Sequence, residues 1–132
     1  METVDAAARW ADTWRDRWPA RDLEAVSALY HPDVTYRGEP FREPFTGIGE
    51  LRAYLGRTFG EEEEIETWFG APVVAGNHAS VEWWATLFED GAETTLVGTS
   101  TLVFDESGLV VEQRDTWNQS DGRVPPPEGW GR

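Results

Sequence analysis

The hydrophobic period changes once along this chain, and that single change restricts the fold more than any other feature. Up to about residue 60, apolar residues recur at helical spacing; from about residue 65 they alternate. In residues 3 to 18, Ala7, Ala11, Trp14 and Trp18 recur at i, i+4, i+7 and i+11, and Pro19 stops the pattern. A second helix is predicted over 22–30, where "YHPD" ends it because a residue before proline avoids the helical region. "DVTYR" reads as a short strand and "GEPFREPFTGIG" as an irregular connection. A third helix is predicted over 49–59, with Leu51, Tyr54, Leu55 and Phe59 on its apolar stripe.

Four strands follow, predicted at 65–75, 78–89, 93–105 and 109–119, and separated by "AGN", "EDGAE" and "DESG". Those separators are hairpin chemistry. Helices first and an antiparallel meander afterwards make an α+β domain. One face of such a sheet must be covered, so the three N-terminal helices are expected to pack on a curved antiparallel sheet and leave a hollow at one end. No repeat or long linker interrupts 1–132, which reads as a single domain. Residues 120–132, "SDGRVPPPEGWGR", form an irregular C-terminal tail expected to lie across the body. Its Trp130 has three possible places: in the mouth of the hollow, on the outside, or against a partner.

The net charge of -14 argues against nucleic acid or an anionic membrane as partner, because phosphate binding needs clustered basic side chains. Eight tryptophans, six phenylalanines and three tyrosines are too many for a disordered acidic chain. With no cysteine, thiol chemistry and Cys-based metal sites are excluded. His31 and His78 have no metal-ligand spacing; His31 is expected to bond to backbone in its turn and His78 to be exposed. No metal or other cofactor is expected. "EEEE" at 61–64 reads as a solvated run leading into a hairpin, with weak Ca²⁺ binding as its other reading. No apolar run approaches the roughly 18 residues that cross a bilayer, and no signal peptide is recognisable, so a cytoplasmic location is expected.

One residue breaks the alternation. In "VVEQRDTWNQ", Val111, Gln113, Asp115 and Trp117 share the side of the strand that reads as buried. A buried carboxylate is costly unless paired, hydrogen-bonded or neutralised. Asp115 therefore either accepts bonds that fix the core or lines a pocket as a general base, its pKa raised by aromatic surroundings or a nearby acid.

The order of elements resembles the NTF2-like cone over nearly the whole chain. "GLVVEQRDTWN" is similar to the closing strand of the SnoaL-like families, polyketide-cyclase-like and limonene-epoxide-hydrolase-like, at Gly108, Val110, Arg114, Asp115, Trp117 and Asn118. The resemblance implies that Asp115 points into the cone and takes a proton. It also implies an Arg and an Asp two residues apart on an earlier strand. An alignment without gaps puts these at Glu82 and Trp84, and an expected Asn at Gly38 beside the matching Tyr36. Those departures disfavour epoxide hydrolysis. Periodicity in "SVEWWATLF" instead puts Val81, Trp83, Ala85 and Leu87 inside. The two readings are reconciled if the outer face of the sheet is also buried, in the homodimer that the resemblance implies.

The expected site is thus Asp115 as base, with Tyr36 as an oxyanion donor or simply a satisfied core tyrosine. Glu82 is either a second acid or a solvated side chain. Trp14, Trp18, Phe59, Trp68, Trp84 and Trp117 would wall the pocket, with Thr99, Thr101 and Gln113 as polar handles. Such a pocket suits a small apolar or aromatic molecule. Cyclisation, isomerisation or dehydration of an apolar carbonyl or polyketide-like compound, a non-catalytic ligand-binding module, and a dimeric scaffold with a filled pocket are the functions left open.

Overall fold

The computed structural model describes residues 1–131. Helix α1 (Thr3–Arg17) turns Trp10, Trp14 and a stripe of alanines inward, and α2 (Leu23–Ser27) starts where the Asp22 carboxylate accepts from the Ala25 amide at 3.0 Å. The second helix is shorter than its apolar pattern suggests. Tyr30 already opens strand β1 (Tyr30–Arg37), and Pro32, with no N–H to give, lies where the pairing of this strand is interrupted. Strand β2 (Phe45–Thr46) leads into α3 (Ile48–Glu61), which buries Leu51, Leu55 and Phe59.

The strand predicted over 65–75 is two strands. β3 (Glu62–Phe69) begins in the acidic run, and β4 (Val73–Ala75) resumes after Gly70, Ala71 and Pro72. Strands β5 (His78–Glu89), β6 (Ala92–Phe104) and β7 (Val110–Asp121) complete the meander. The sheet order is β2-β1-β7-β6-β5-β3, with β4 on β5, and only the β1–β7 pairing is parallel. The helices cover one face of this curved sheet, as the change of period requires. No helix of the described residues is long and apolar enough to cross a membrane.

On β5 the plain alternation is correct. Val81, Trp83, Ala85 and Leu87 are buried beneath the helices, whereas Ser80 and Glu82 are exposed on the outer face. Trp84 lies outside too, and the tail covers it. Its indole donates to the Val124 carbonyl at 2.6 Å, and Trp130 stands edge-on to it at 5.8 Å. Arg123 anchors the tail by donating to Thr86 Oγ1 at 3.0 Å, with its guanidinium 5.3 Å from the centre of the Phe88 ring.

Inside the sheet the close approach is at Gly98, which faces Trp83 on β5 and Trp117 on β7. A Cβ there would stand 2.5 Å from the Thr116 carbonyl and 2.7 Å from both the Trp83 ring and Trp117 Cβ. Gly98→Ala is therefore expected to cost about 1–3 kcal/mol and several degrees of Tm. Gly60→Ala on α3, where nothing lies within 4 Å, is expected to be neutral or stabilising. Equal melting temperatures for the two variants would remove the steric account of this corner.

Candidate functional site

Strand β7 carries the site because a bulge sets its parity. Pairing with β6 runs from Thr94–Asp121 to Val103–Glu112, then shifts so that Phe104 faces Val110. The extra residue is Val111. Val110 is consequently buried with Gln113 and Asp115, and Val111 is not the inward residue that strict alternation predicts.

Asp115 is 8% exposed and accepts three hydrogen bonds from three strands. Tyr36 Oη on β1 donates to Oδ2 at 3.0 Å; Ser100 Oγ on β6 and Gln113 Nε2 on β7 donate to Oδ1 at 2.6 and 2.9 Å. The donors are themselves held. Ser100 accepts from the Trp83 indole at 3.0 Å, and Gln113 Oε1 accepts from Tyr30 at 2.6 Å and Trp10 at 3.2 Å. Trp14 donates in turn to the Tyr30 hydroxyl at 3.1 Å. Burial pushes the Asp115 carboxyl up to about 6, while its three hydrogen bonds pull the other way. Burial, then the nearby Asp115 charge, raises Tyr36 well above its ordinary value, so its hydroxyl keeps its proton.

These groups open on a cavity of about 270 Å³. Of the residues singled out from sequence, Asp115, Tyr36 and Gln113 lie on its wall with Trp14, Trp18, Phe59 and Trp117. Five do not. Glu82, Trp84, Thr99 and Thr101 project from the outer face, because Val81–Ser100 and Ser100–Asp115 are the inward pairs and each neighbour in sequence points the opposite way. Trp68 is the cross-strand partner of Trp84 and lies in an outer groove with Pro126, Pro127 and Trp130. A proton shared between Glu82 and Asp115 is thereby ruled out. The strand position beside Asp115 is occupied by Ser100, and the one beside Trp117 by Gly98, so neither member of the expected Arg–Asp pair is present there.

Sequence reasoning missed Trp10, Trp83, Ser100 and Glu62, all of which line the cavity. Trp10 was legible as a member of the stripe that holds Trp14. Ser100 needed the strand register. Glu62, hidden in the acidic run, continues the stripe of Leu51, Leu55 and Phe59 at i+11 and is only 3% exposed. Its Oε1 accepts from the Trp18 indole at 2.9 Å. Burial pushes this carboxyl up to about 7, helped by the charges of Glu89 and Glu61 and opposed by the Trp18 bond. The expectation of a fully solvated run therefore fails at this residue, because α3 ends by turning it inward. His31 Nδ1 accepts from the Asp33 amide at 2.9 Å, and His78 is exposed. Among the described residues, no group of three or more His, Asp or Glu side chains is placed to hold a metal ion.

A family model described as "SnoaL-like domain" matches residues 8–113, ending two residues before Asp115. No curated protein matches the chain. Among solved structures, the fold is similar to an LEH-like epoxide hydrolase of M. tuberculosis, with TM-score 0.72, 17% identity, and 86% of this chain and 84% of that one covered. It is similar to RV0760c from Mycobacterium tuberculosis, with TM-score 0.77, 15% identity, and 89% and 96% covered. A third is SalBIII, an epoxide hydrolase/cyclase-like enzyme in pyran ring formation in polyether salinomycin, with TM-score 0.78, 13% identity, and 89% and 95% covered.

The two buried carboxyls give stability a definite pH slope. Asp115 and Glu62 bind protons more tightly in the folded chain than in the unfolded one, where ordinary values of 3.8 and 4.5 apply. Their contribution is fully present below those values and is lost as pH rises through about 6 and about 7. Tm is expected to be higher at pH 5 than at pH 8, each group contributing about 1–3 kcal/mol. Asp115→Asn and Glu62→Gln should each flatten the profile; a slope that both variants leave unchanged would assign it to the net charge instead.

Proposed function

The chain belongs to the SnoaL-like domain family, and from that premise we propose that it is a cofactor-independent enzyme of acid–base chemistry on a small, mostly apolar carbonyl compound. The observation that carries this reading is Asp115: a buried carboxyl poised at about 6, on a cavity wall, in contact with a tyrosine hydroxyl. A base at that value is ionised at neutral pH and strong enough to remove a proton next to a carbonyl.

The proton inventory is simple. The substrate C–H bond breaks and Asp115 Oδ2 gains the proton. Oδ2 then donates to Tyr36 Oη, which frees the Tyr36 hydroxyl to turn its own proton towards the oxyanion left on the substrate. Ser100 and Gln113 keep Oδ1 fixed throughout. Return of the proton to a different carbon gives isomerisation; attack of the enolate on a second carbonyl of the same molecule, whose oxygen takes up the proton, gives a ring; and departure of a β-hydroxyl as water, with the proton that Asp115 holds, gives dehydration. Imine chemistry is excluded, because the chain contains no lysine. Similarity to an epoxide hydrolase/cyclase-like enzyme of ring formation supports the ring-forming branch. Epoxide hydrolysis gains nothing from Ser100 and Gly98, neither of which can protonate an epoxide as a carboxylic acid would.

A second reading has an observation of its own. Three protein donors on one carboxylate are what a structural acid would have, and the cavity would then only hold a ligand. The experiment is exchange of the acidic C–H of 2-tetralone in D₂O, followed by NMR, beside binding measured through tryptophan fluorescence. Asp115→Asn is expected to slow exchange by about 100-fold or more while binding changes little, and Tyr36→Phe by a smaller factor. Exchange unaffected by Asp115→Asn sinks the base assignment. Binding by the wild type without exchange of this or related ketones favours the ligand-holding reading.

A further inference from the structure

We propose that the cavity takes an organic cation, a small aromatic or alicyclic molecule carrying a positively charged nitrogen, with that nitrogen seated at Glu62 and the rest of the molecule reaching towards Asp115. The proposal deepens the reading above, on which it rests for the chemistry at Asp115; the charge of the ligand is read from the cavity itself.

The wall carries five acids, Asp115, Glu62, Glu39, Glu61 and Glu89, and among the described residues no arginine or histidine. The chain does not lack basic residues, but none of the described ones lines the cavity. Arg123 holds the tail, Arg52 pairs with Glu24, and Arg15 pairs with Asp12 and Asp16. The Arg21 guanidinium reaches Glu62, yet it donates to the main-chain oxygen at 3.3 Å. Glu62 is 3% exposed, and while Oε1 accepts from Trp18, Oε2 has no donor among the described residues. A carboxylate oxygen on a cavity wall without a protein donor is free to accept from a ligand, and an ammonium supplies both the donor and the opposite charge.

The neighbouring rings fit the same ligand. Trp14 meets Trp18 at 90° and Phe59 at 82°, with ring centres 5.7 and 6.1 Å apart, and Trp18 meets Trp83 at 75°. Each edge-on pair covers one face of one ring and leaves the remaining faces for other contacts, and ring faces attract cations. The competing ligand charges fare worse. An anion would meet five acids, of which Glu39 alone is paired with an arginine among the described residues, Arg42 at 2.8 Å. A neutral hydrocarbon would fill the space but leave Oε2 unpaired.

The test compares benzylammonium, ethylbenzene (its uncharged isostere) and phenylacetate on the full chain at pH 8, by tryptophan fluorescence and calorimetry. The ammonium is expected to bind at least about tenfold more tightly than the hydrocarbon, and phenylacetate most weakly. Glu62→Gln should remove most of that preference while moving the hydrocarbon affinity less than about twofold. The wild-type comparison needs no variant: equal affinities for ammonium and hydrocarbon overturn the proposal, as does a preference that Glu62→Gln leaves whole. Asp115→Asn should retain the preference. Loss of ketone exchange with the preference intact thus speaks to the base, and loss of the preference with exchange intact speaks only to the ligand's charge.

Discussion

Placing a carboxylate on the inner face of an apolar sheet costs free energy that something must offset, and much of the interior of this protein is arranged around that requirement. Asp115 draws a hydroxyl from β1, a hydroxyl from β6 and an amide from its own strand. Those groups are oriented in turn by three indoles and a second tyrosine. Each indole has only one donor to spend, and all three are spent on this network. The fan of donors favours the ionised carboxyl and burial favours the neutral one. Their opposition leaves the group near neutrality, where a small change in surroundings transfers a proton. A fully solvated aspartate would be too weak a base for carbon acids, and one buried without donors would stay protonated.

The fold was legible because its evidence is periodic, and the site was legible only where a side chain's direction followed from a single strand. The switch from helical to alternating spacing announces the α+β layering, and the inward aim of Gln113, Asp115 and Trp117 follows from alternation downstream of the bulge. Val110 and Val111 exchanged places because a bulge leaves no mark in an apolar pair. Glu82 and Trp84 were misplaced for a different reason. An alignment across two hairpins without gaps is correct only if each turn has the same length in both chains, and one residue of error reverses every side chain. The local alternation of "SVEWWATLF" carried the better information, since it depends on no other protein. Thr99 and Thr101 fell with the same parity error, and Ser100 between them was overlooked.

The outer face of β5 carries Trp84 and Phe88, and the family resemblance implies a partner subunit over it. The structure supplies a different cover. Residues 122–131 run over Trp84 and Phe88, with Arg123 also close to Glu64, Glu66 and Glu93 at 3.6, 4.0 and 3.7 Å. Beyond the tail, Ser80, Glu82, Arg114 and Thr116 are exposed polar residues of the outer face, and Val73 beside Ser80 is an exposed apolar one. Two apolar faces on one strand therefore do not by themselves require a second copy. The prolines and glycines of the tail suit it to this task, since it must lie flat on a sheet without pairing as another strand.

The net charge of -14 bears on the site differently from how it bears on the surface. In physiological salt, charges separated by more than about 8 Å of water are largely screened, so the distant acids steer a ligand only weakly. Inside the cavity the screening ions are excluded and the dielectric is lower, and the same sign of charge acts at contact range. The two buried acids there differ in how they are held: Asp115 has three donors, whereas Glu62 has one indole on Oε1. A group held by three donors is fixed for chemistry, and a group with an oxygen left over is suited to holding something else. Under the proposed function that asymmetry would give the cavity a direction, with the reacting end at Asp115 on the sheet and the holding end at Glu62, where α3 meets β3.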